Sequence, residues 1–111
     1  MSPRSQRLSA EQFNSVMEKG RVSHSSLFLM RLVSGSTDTR VAAVAPKKVA
    51  KTAVMRNKIR RKIYEALKVI KPTLKPSFHA IVLAKPAMMQ KKQIEIVADM
   101  RELFVKANLL R

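Results

Sequence analysis

Arg56, Asn57, Lys58, Arg60 and Arg61 stand within six residues of one another, and Lys47, Lys48 and Lys51 precede them. A guanidinium presents a planar fork that grips phosphate oxygens in pairs, and an ammonium meets them as a point charge. Asn57 adds a donor and an acceptor suited to a 2′-hydroxyl or a base edge. The chemistry these residues share is recognition of a polyanion through its backbone and shape; composition leaves RNA and DNA open. Catalytic chemistry is sparse by comparison. General acid–base work needs histidines or carboxylates that converge, and the two histidines, His24 and His79, lie far apart in sequence. His79 reads as a core or rim histidine on a strand, whereas His24 faces either a phosphate or water. Gly20 and Gly35 are the only glycines, too few for a phosphate-cradling loop. HExxH, GxSxG and zinc-ligand spacings do not occur. This is not the inventory of a self-sufficient enzyme, and it implies no catalytic residue, no metal ligand, no bound cofactor and no small-molecule substrate.

Composition points the same way. The 111 residues carry a net charge of +16, from 23 Lys and Arg against 7 Asp and Glu, with 46% apolar residues. That apolar content supports one folded domain over 1–111 rather than a basic disordered tail. Between positions 47 and 75 stand eleven basic residues and a single acid, Glu65. Glu95, Asp99 and Glu102 gather near the C-terminus instead, so one face should be basic and its back more neutral. A solvated basic face is the plain alternative, but these cations are neither interleaved with acids nor confined to one helix. Cysteine is absent, which suits a reducing interior. No apolar run approaches the roughly 20 residues that span a bilayer, and the first residues lack a secretory h-region. The expected location is cytoplasmic, with no membrane partner.

The basic residues need a scaffold, and hydrophobic spacing supplies its outline. At about 100° per residue, Met55, Ile59, Ile63, Ala66 and Ile70 share one side of a helix and form its core face. Asn57, Arg61, Tyr64 and Lys68 fall opposite, with Arg56 and Arg60 on the flank. The helix should begin near Thr52 or Ala53 and end before Pro72. Like charges three and four residues apart destabilise it, and a bound polyanion would offset that. Upstream, residues 1–7 read as a flexible basic arm bearing Arg4 and Arg7. Ser9 and Gln12 form a capping box for a first helix, with Leu8 placed to staple Phe13. Phe13, Val16 and Met17 make its apolar stripe, and Gly20 stops it. Residues 21–34 are extended, 34–38 turn, and 40–45 form a strand; the short link predicts an antiparallel hairpin with the strand before it. Residues 77–84 are the clearest strand, apolar on both faces and therefore central. A last helix should run from about 89 to 108. Its buried stripe would be Ile96, Val97, Met100, Leu103, Phe104 and Ala107, with Glu95, Asp99, Glu102 and Lys106 on its solvated face. A strand that follows the basic helix can lie parallel to the one before it through a crossover.

The run from Arg40 to Ala66 resembles the signature region of the protein subunit of bacterial ribonuclease P. In that family a strand ends in a Lys-Lys-Val/Ile-Gly/Ala loop, matched here by Lys47-Lys48-Val49-Ala50. A helix opening Val-x-Arg-Asn-Arg-x-Lys/Arg-Arg follows, matched by Val54-Met55-Arg56-Asn57-Lys58-Ile59-Arg60-Arg61. Arg7-Leu8 with Phe13 is similar to the family's first helix, and 78–86 to its last strand, so the likeness extends over nearly the whole chain.

The resemblance implies an α+β fold, an α/β sandwich in the order α-β-β-β-α-β-α. Its four-stranded mixed sheet would contain a left-handed βαβ crossover, against the usual right-handed rule. It also implies a protein that binds the catalytic RNA subunit of ribonuclease P and assists removal of the 5′ leader from precursor tRNA. The RNA would hold the active site and use Mg2+. Carried over by position, Lys47, Lys48, Lys51, Arg56, Asn57, Lys58, Arg60 and Arg61 should face RNA. Phe13, Met17 and Arg31 should line a cleft for the single-stranded leader, where aromatic stacking is a sequence-tolerant grip. The chain departs from the pattern at four places. Lys58 replaces the second Arg of Arg-Asn-Arg, Tyr64 stands where another Arg is common, Met17 replaces a second aromatic, and Arg31 replaces a residue that is often aromatic. The cleft should therefore lean more on charge and less on stacking. Charge alone would equally allow a ribosomal or other structural RNA-binding protein. A basic protein of membrane surfaces or DNA would leave the strand–loop–helix motif unexplained.

Overall fold

A computed structural model of the chain describes residues 7–110. The expected arm, residues 1–7, lies outside the described residues apart from Arg7. Helix α1 (Ala10–Lys19) starts on the Ser9–Gln12 capping box, with Gln12 N donating to Ser9 Oγ and Ser9 N donating to Gln12 Oε1. Strands β1 (Arg21–His24), β2 (Phe28–Ser34) and β3 (Arg40–Val44) follow. Helix α2 (Ala53–Ile70) is capped by Thr52, whose Oγ1 accepts from Met55 N. Strand β4 (Phe78–Ala84), a 3₁₀ turn (Pro86–Gln90) and helix α3 (Gln93–Lys106) complete the order. This is the α-β-β-β-α-β-α order, built around a four-stranded mixed sheet.

The strand sequence across the sheet is β1-β2-β4-β3. β4 pairs antiparallel with β2 and parallel with β3, and α2 is the crossover between the two parallel strands. The expected β2–β3 hairpin does not form, because β4 inserts between them. Its apolar residues on both faces favour the most covered position, and β3 is left as an edge.

Side chains at alternate positions divide the sheet between two layers. Phe28, Met30 and Leu32 of β2 and Phe78, Ala80, Val82 and Ala84 of β4 join Ile59, Ile63, Ala66, Leu67 and Ile70 of α2 and Ile96, Met100, Leu103 and Phe104 of α3 in one buried cluster. The Phe78 and Phe104 rings meet at 6.1 Å between centroids. On the other face α1 lies against β2 and β4, and Val16 and Ile81 are buried there, outside that cluster. Gly20 ends α1 where a Cβ would come within 2.4 Å of Val16 O and 3.1 Å of Leu32 N. Only glycine lets the helix end approach β2 so closely.

Three details depart from the periodicity reading. Met55 is exposed rather than part of the core face, because it sits in the first turn of α2, ahead of the point where the helix meets α3 and the sheet. Tyr64, placed on the polar side, instead leans on the core, and its hydroxyl accepts from Ala43 N on the free edge of β3. Asp99, placed on the solvated face of α3, turns inward to accept from Ser25 Oγ at 2.5 Å and Leu27 N at 3.1 Å, tying α3 to the loop between β1 and β2. The last helix also begins at Gln93 rather than near 89, because the 3₁₀ turn occupies the intervening residues.

Candidate nucleic-acid interface

Lys47, Lys48 and Lys51 project from the loop between β3 and α2, and all three are exposed. The loop is held from within: Val49 N and Ala50 N donate to Pro46 O. Arg56 Nη1 donates to Ala50 O at 3.1 Å and Lys51 O at 3.0 Å. Arg56 is thus engaged by the backbone it follows, and it braces the lysine loop against the start of α2. The helix N-terminus beside that loop adds its own attraction for anions.

One turn further, Asn57, Lys58 and Arg61 are exposed and Arg60 is half-buried. Arg60 Nη2 donates to Asn57 Oδ1, which fixes the amide and leaves its NH2 to donate outward. Tyr64 follows, half-buried. Arg7, arriving from the far side of the sheet edge, stacks its guanidinium over the Tyr64 ring at 5.2 Å, within cation–π range. Arg7, Asn57, Arg60, Arg61 and Tyr64 enclose a pocket of about 340 Å³ that no carboxylate lines.

The arm residue is tied down by its main chain. Arg40 Nη1 donates to Arg7 O at 3.1 Å, while Arg40 Nε donates to Asp38 Oδ2 at 2.6 Å. Asp38 Oδ1 takes a second bond from His79 Nε2 at 2.7 Å. Those two partners, His79 first and Arg40 second, hold the Asp38 carboxyl below the ordinary carboxylate range. His79 is therefore a rim histidine in an ion-pair network.

The predicted cleft residues converge on the opposite face. Arg31 Nη1 donates to Met17 O at 3.2 Å, so β2 and the last turn of α1 meet at these two positions. Phe13, on the same helix, is half-buried. Register places Arg31, Ile81 and Ala42 in one row across the sheet, and Leu29, Leu83 and Val44 in the next. Residues of that second row stay half-buried, giving α1 an apolar floor at its side, with exposed His24 opposite Leu29. Sequence reasoning missed this floor because it draws one residue from each of three strands. It also missed Arg7, whose position depends on Arg40, thirty-three residues away. The lone tyrosine at position 64 was the available hint.

Among the described residues no cluster of His, Cys, Asp or Glu is placed to hold a metal ion, and no helix is long and apolar enough to cross a membrane. A braced lysine loop and an arginine-rich helix packed on a four-stranded sheet define the class: a small, strongly basic α+β protein. The Ribonuclease P family model matches residues 2–108. Among similar proteins, the ribonuclease P protein component of Symbiobacterium thermophilum is 30% identical over 101 residues, covering 89% of this chain and 87% of that protein. The Synechococcus sp. (strain JA-2-3B'a(2-13)) component is 35% identical over 72 residues, covering 65% of this chain and 54% of that longer protein. Among solved structures, a Staphylococcus aureus RNase P protein mutant with defective mRNA degradation activity superposes with a TM-score of 0.83 at 24% identity. That match covers 96% of this chain and 92% of the other. The Thermotoga maritima RNase P protein gives 0.77 at 18% identity, covering 87% and 93%. The chain belongs to the ribonuclease P protein family, whose members are subunits of a ribonucleoprotein endoribonuclease.

Proposed function

We propose that this protein uses its two sheet faces for two RNAs. The lysine loop and α2 dock on the ribonuclease P RNA through Lys47, Lys48, Lys51, Asn57, Lys58, Arg60 and Arg61, with Arg56 bracing the loop from behind. The cleft between α1 and the sheet, with Phe13, Met17 and Arg31 along it, holds the 5′ leader of precursor tRNA. The catalytic centre and its Mg2+ belong to the RNA; the protein contributes positioning and charge, as a single RNA-binding domain in the cytoplasm. The observation that carries the reading is the continuous cationic face from Lys47 to Arg61, in which no acid interrupts the exposed side chains. Membership of the ribonuclease P family supports assigning that face to the ribonuclease P RNA.

Charge complementarity of this kind makes affinity strongly salt-dependent through counterion release. The test is to assemble the chain with a bacterial ribonuclease P RNA and compare the affinity of precursor tRNA carrying a leader with that of leaderless tRNA. The holoenzyme should favour the leader-bearing substrate, and RNA alone should discriminate less. Arg31→Ala should shrink the preference and flatten its dependence on salt. Equal affinity for both substrates, with and without protein, would remove the leader assignment.

A further inference from the structure

The pocket at the β3 edge has features that docking through the exposed side chains of α2 alone does not explain. Three guanidinium groups, from Arg7, Arg60 and Arg61, border one space of about 340 Å³ without a carboxylate among its lining residues. Like charges so placed repel one another unless an anion sits between them. Arg7 Nε is buried and has no hydrogen-bond partner among the described residues, although buried donors are ordinarily satisfied. What holds Arg7 there is the Tyr64 ring beneath it, the Arg40 bond to its carbonyl and, behind Arg40, Asp38 and His79. Tyr64 is fixed in turn by its hydroxyl on Ala43 N. Among the described residues, then, the Arg7 guanidinium meets the Tyr64 ring and has no hydrogen-bond acceptor at Nε.

We propose that this pocket seats one phosphodiester of the RNA backbone, with Arg7 completing a three-guanidinium grip and Tyr64 acting as the positioning residue for Arg7. The inference rests on the docking of α2 against ribonuclease P RNA and adds to it a discrete subsite and two residues. A planar fork stacked on an aromatic ring keeps its N–H edges directed outward, so less freedom is lost when a phosphate arrives. Lysine at position 7 would keep the charge but lose the fork. A nucleotide unit fits a space of this size, and a single strand laid along the β3 edge could insert one phosphate.

The experiment is the affinity of the full chain for a bacterial ribonuclease P RNA across a salt series, for wild type, Arg7→Ala, Arg7→Lys, Arg61→Ala, Tyr64→Phe, Tyr64→Ala and the Arg7→Ala/Tyr64→Ala pair. Thermal melts accompany each variant to confirm folding. Arg7→Ala should weaken binding roughly tenfold and lower the salt slope by about one. Arg7→Lys should recover the slope but not the full affinity. Tyr64→Phe, which keeps the ring, should stay closer to wild type than Tyr64→Ala, and the pair should bind no worse than Arg7→Ala alone. Tyr64 is the only tyrosine and tryptophan is absent, so intrinsic fluorescence of the protein reports the pocket. Inorganic pyrophosphate should perturb it in wild type and much less in Arg7→Ala, whereas a pocket specific for the longer chain would respond to RNA alone. Either response keeps the phosphate assignment and identifies its source. Wild-type affinity and slope in Arg7→Ala, beside a weakened Arg61→Ala, would overturn the subsite while leaving α2 docking intact. If Arg61→Ala is also unchanged, the docking itself fails.

Discussion

Arg56 and Arg61 occupy neighbouring turns of one helix and do different work. Arg56 closes onto two loop carbonyls, whereas Arg61 is exposed and borders the pocket. Arg56→Ala should therefore lower stability by about 1–3 kcal/mol, because two carbonyls lose a charged donor. Arg61→Ala should change stability by less than about 0.5 kcal/mol yet weaken RNA binding and reduce its salt slope. Denaturant midpoints and binding isotherms on the same two variants separate the roles. Asp38 gives a pH-dependent test. Its carboxyl titrates below the ordinary range because His79 and Arg40 bond its charged form. A depressed folded value means that its contribution is complete above the unfolded value and is lost as pH falls through the folded one. The stability gap between wild type and Asp38→Asn should close as pH falls below about 4, where the unfolded carboxyl and then the folded one take up a proton. A gap that persisted unchanged well below pH 3 would contradict the assignment of Asp38 as the charged partner.

Helices were largely legible in the sequence because their signals are local. The Ser9–Gln12 box, the Thr52 cap and the 3.6-residue stripe of α2 all depend on residues within a turn or two of each other. Strand pairing was less so. A ladder is chosen by burial across the whole sheet, and nothing near 34–40 announces that β4 will come between β2 and β3. Asp99 was misplaced for a similar reason, since its partners Ser25 and Leu27 lie more than seventy residues away. Two substitutions probe the elements themselves. Ile63→Ala, at a fully buried position where α2 meets the core, should destabilise by about 2–5 kcal/mol. Gly20→Ala adds a Cβ that collides with backbone on both α1 and β2; overpacking of this kind should cost about 1–3 kcal/mol. It should also displace α1 and weaken the leader preference. Chemical denaturation followed by circular dichroism measures both.

At the scale of the molecule, the sheet separates the two proposed RNA contacts, and its β3 edge runs between them. α1 covers one face, α2 and α3 the other, and Arg7 passes from the Arg40 side of that edge to the Tyr64 side. The cationic face was readable from composition and spacing, since phosphate binding needs only many arginines and lysines on adjacent turns. The division of labour within it was not, because whether a guanidinium is free or engaged depends on which carbonyl folds beside it. The central claim is that this chain assists an RNA catalyst without supplying the chemistry. Its most direct test is cleavage of precursor tRNA by a bacterial ribonuclease P RNA at low magnesium, with and without the protein. The account predicts slow cleavage by the RNA alone, marked acceleration when the chain is added, and no cleavage by the chain alone. Cleavage that is no faster with the protein than without it would contradict the account.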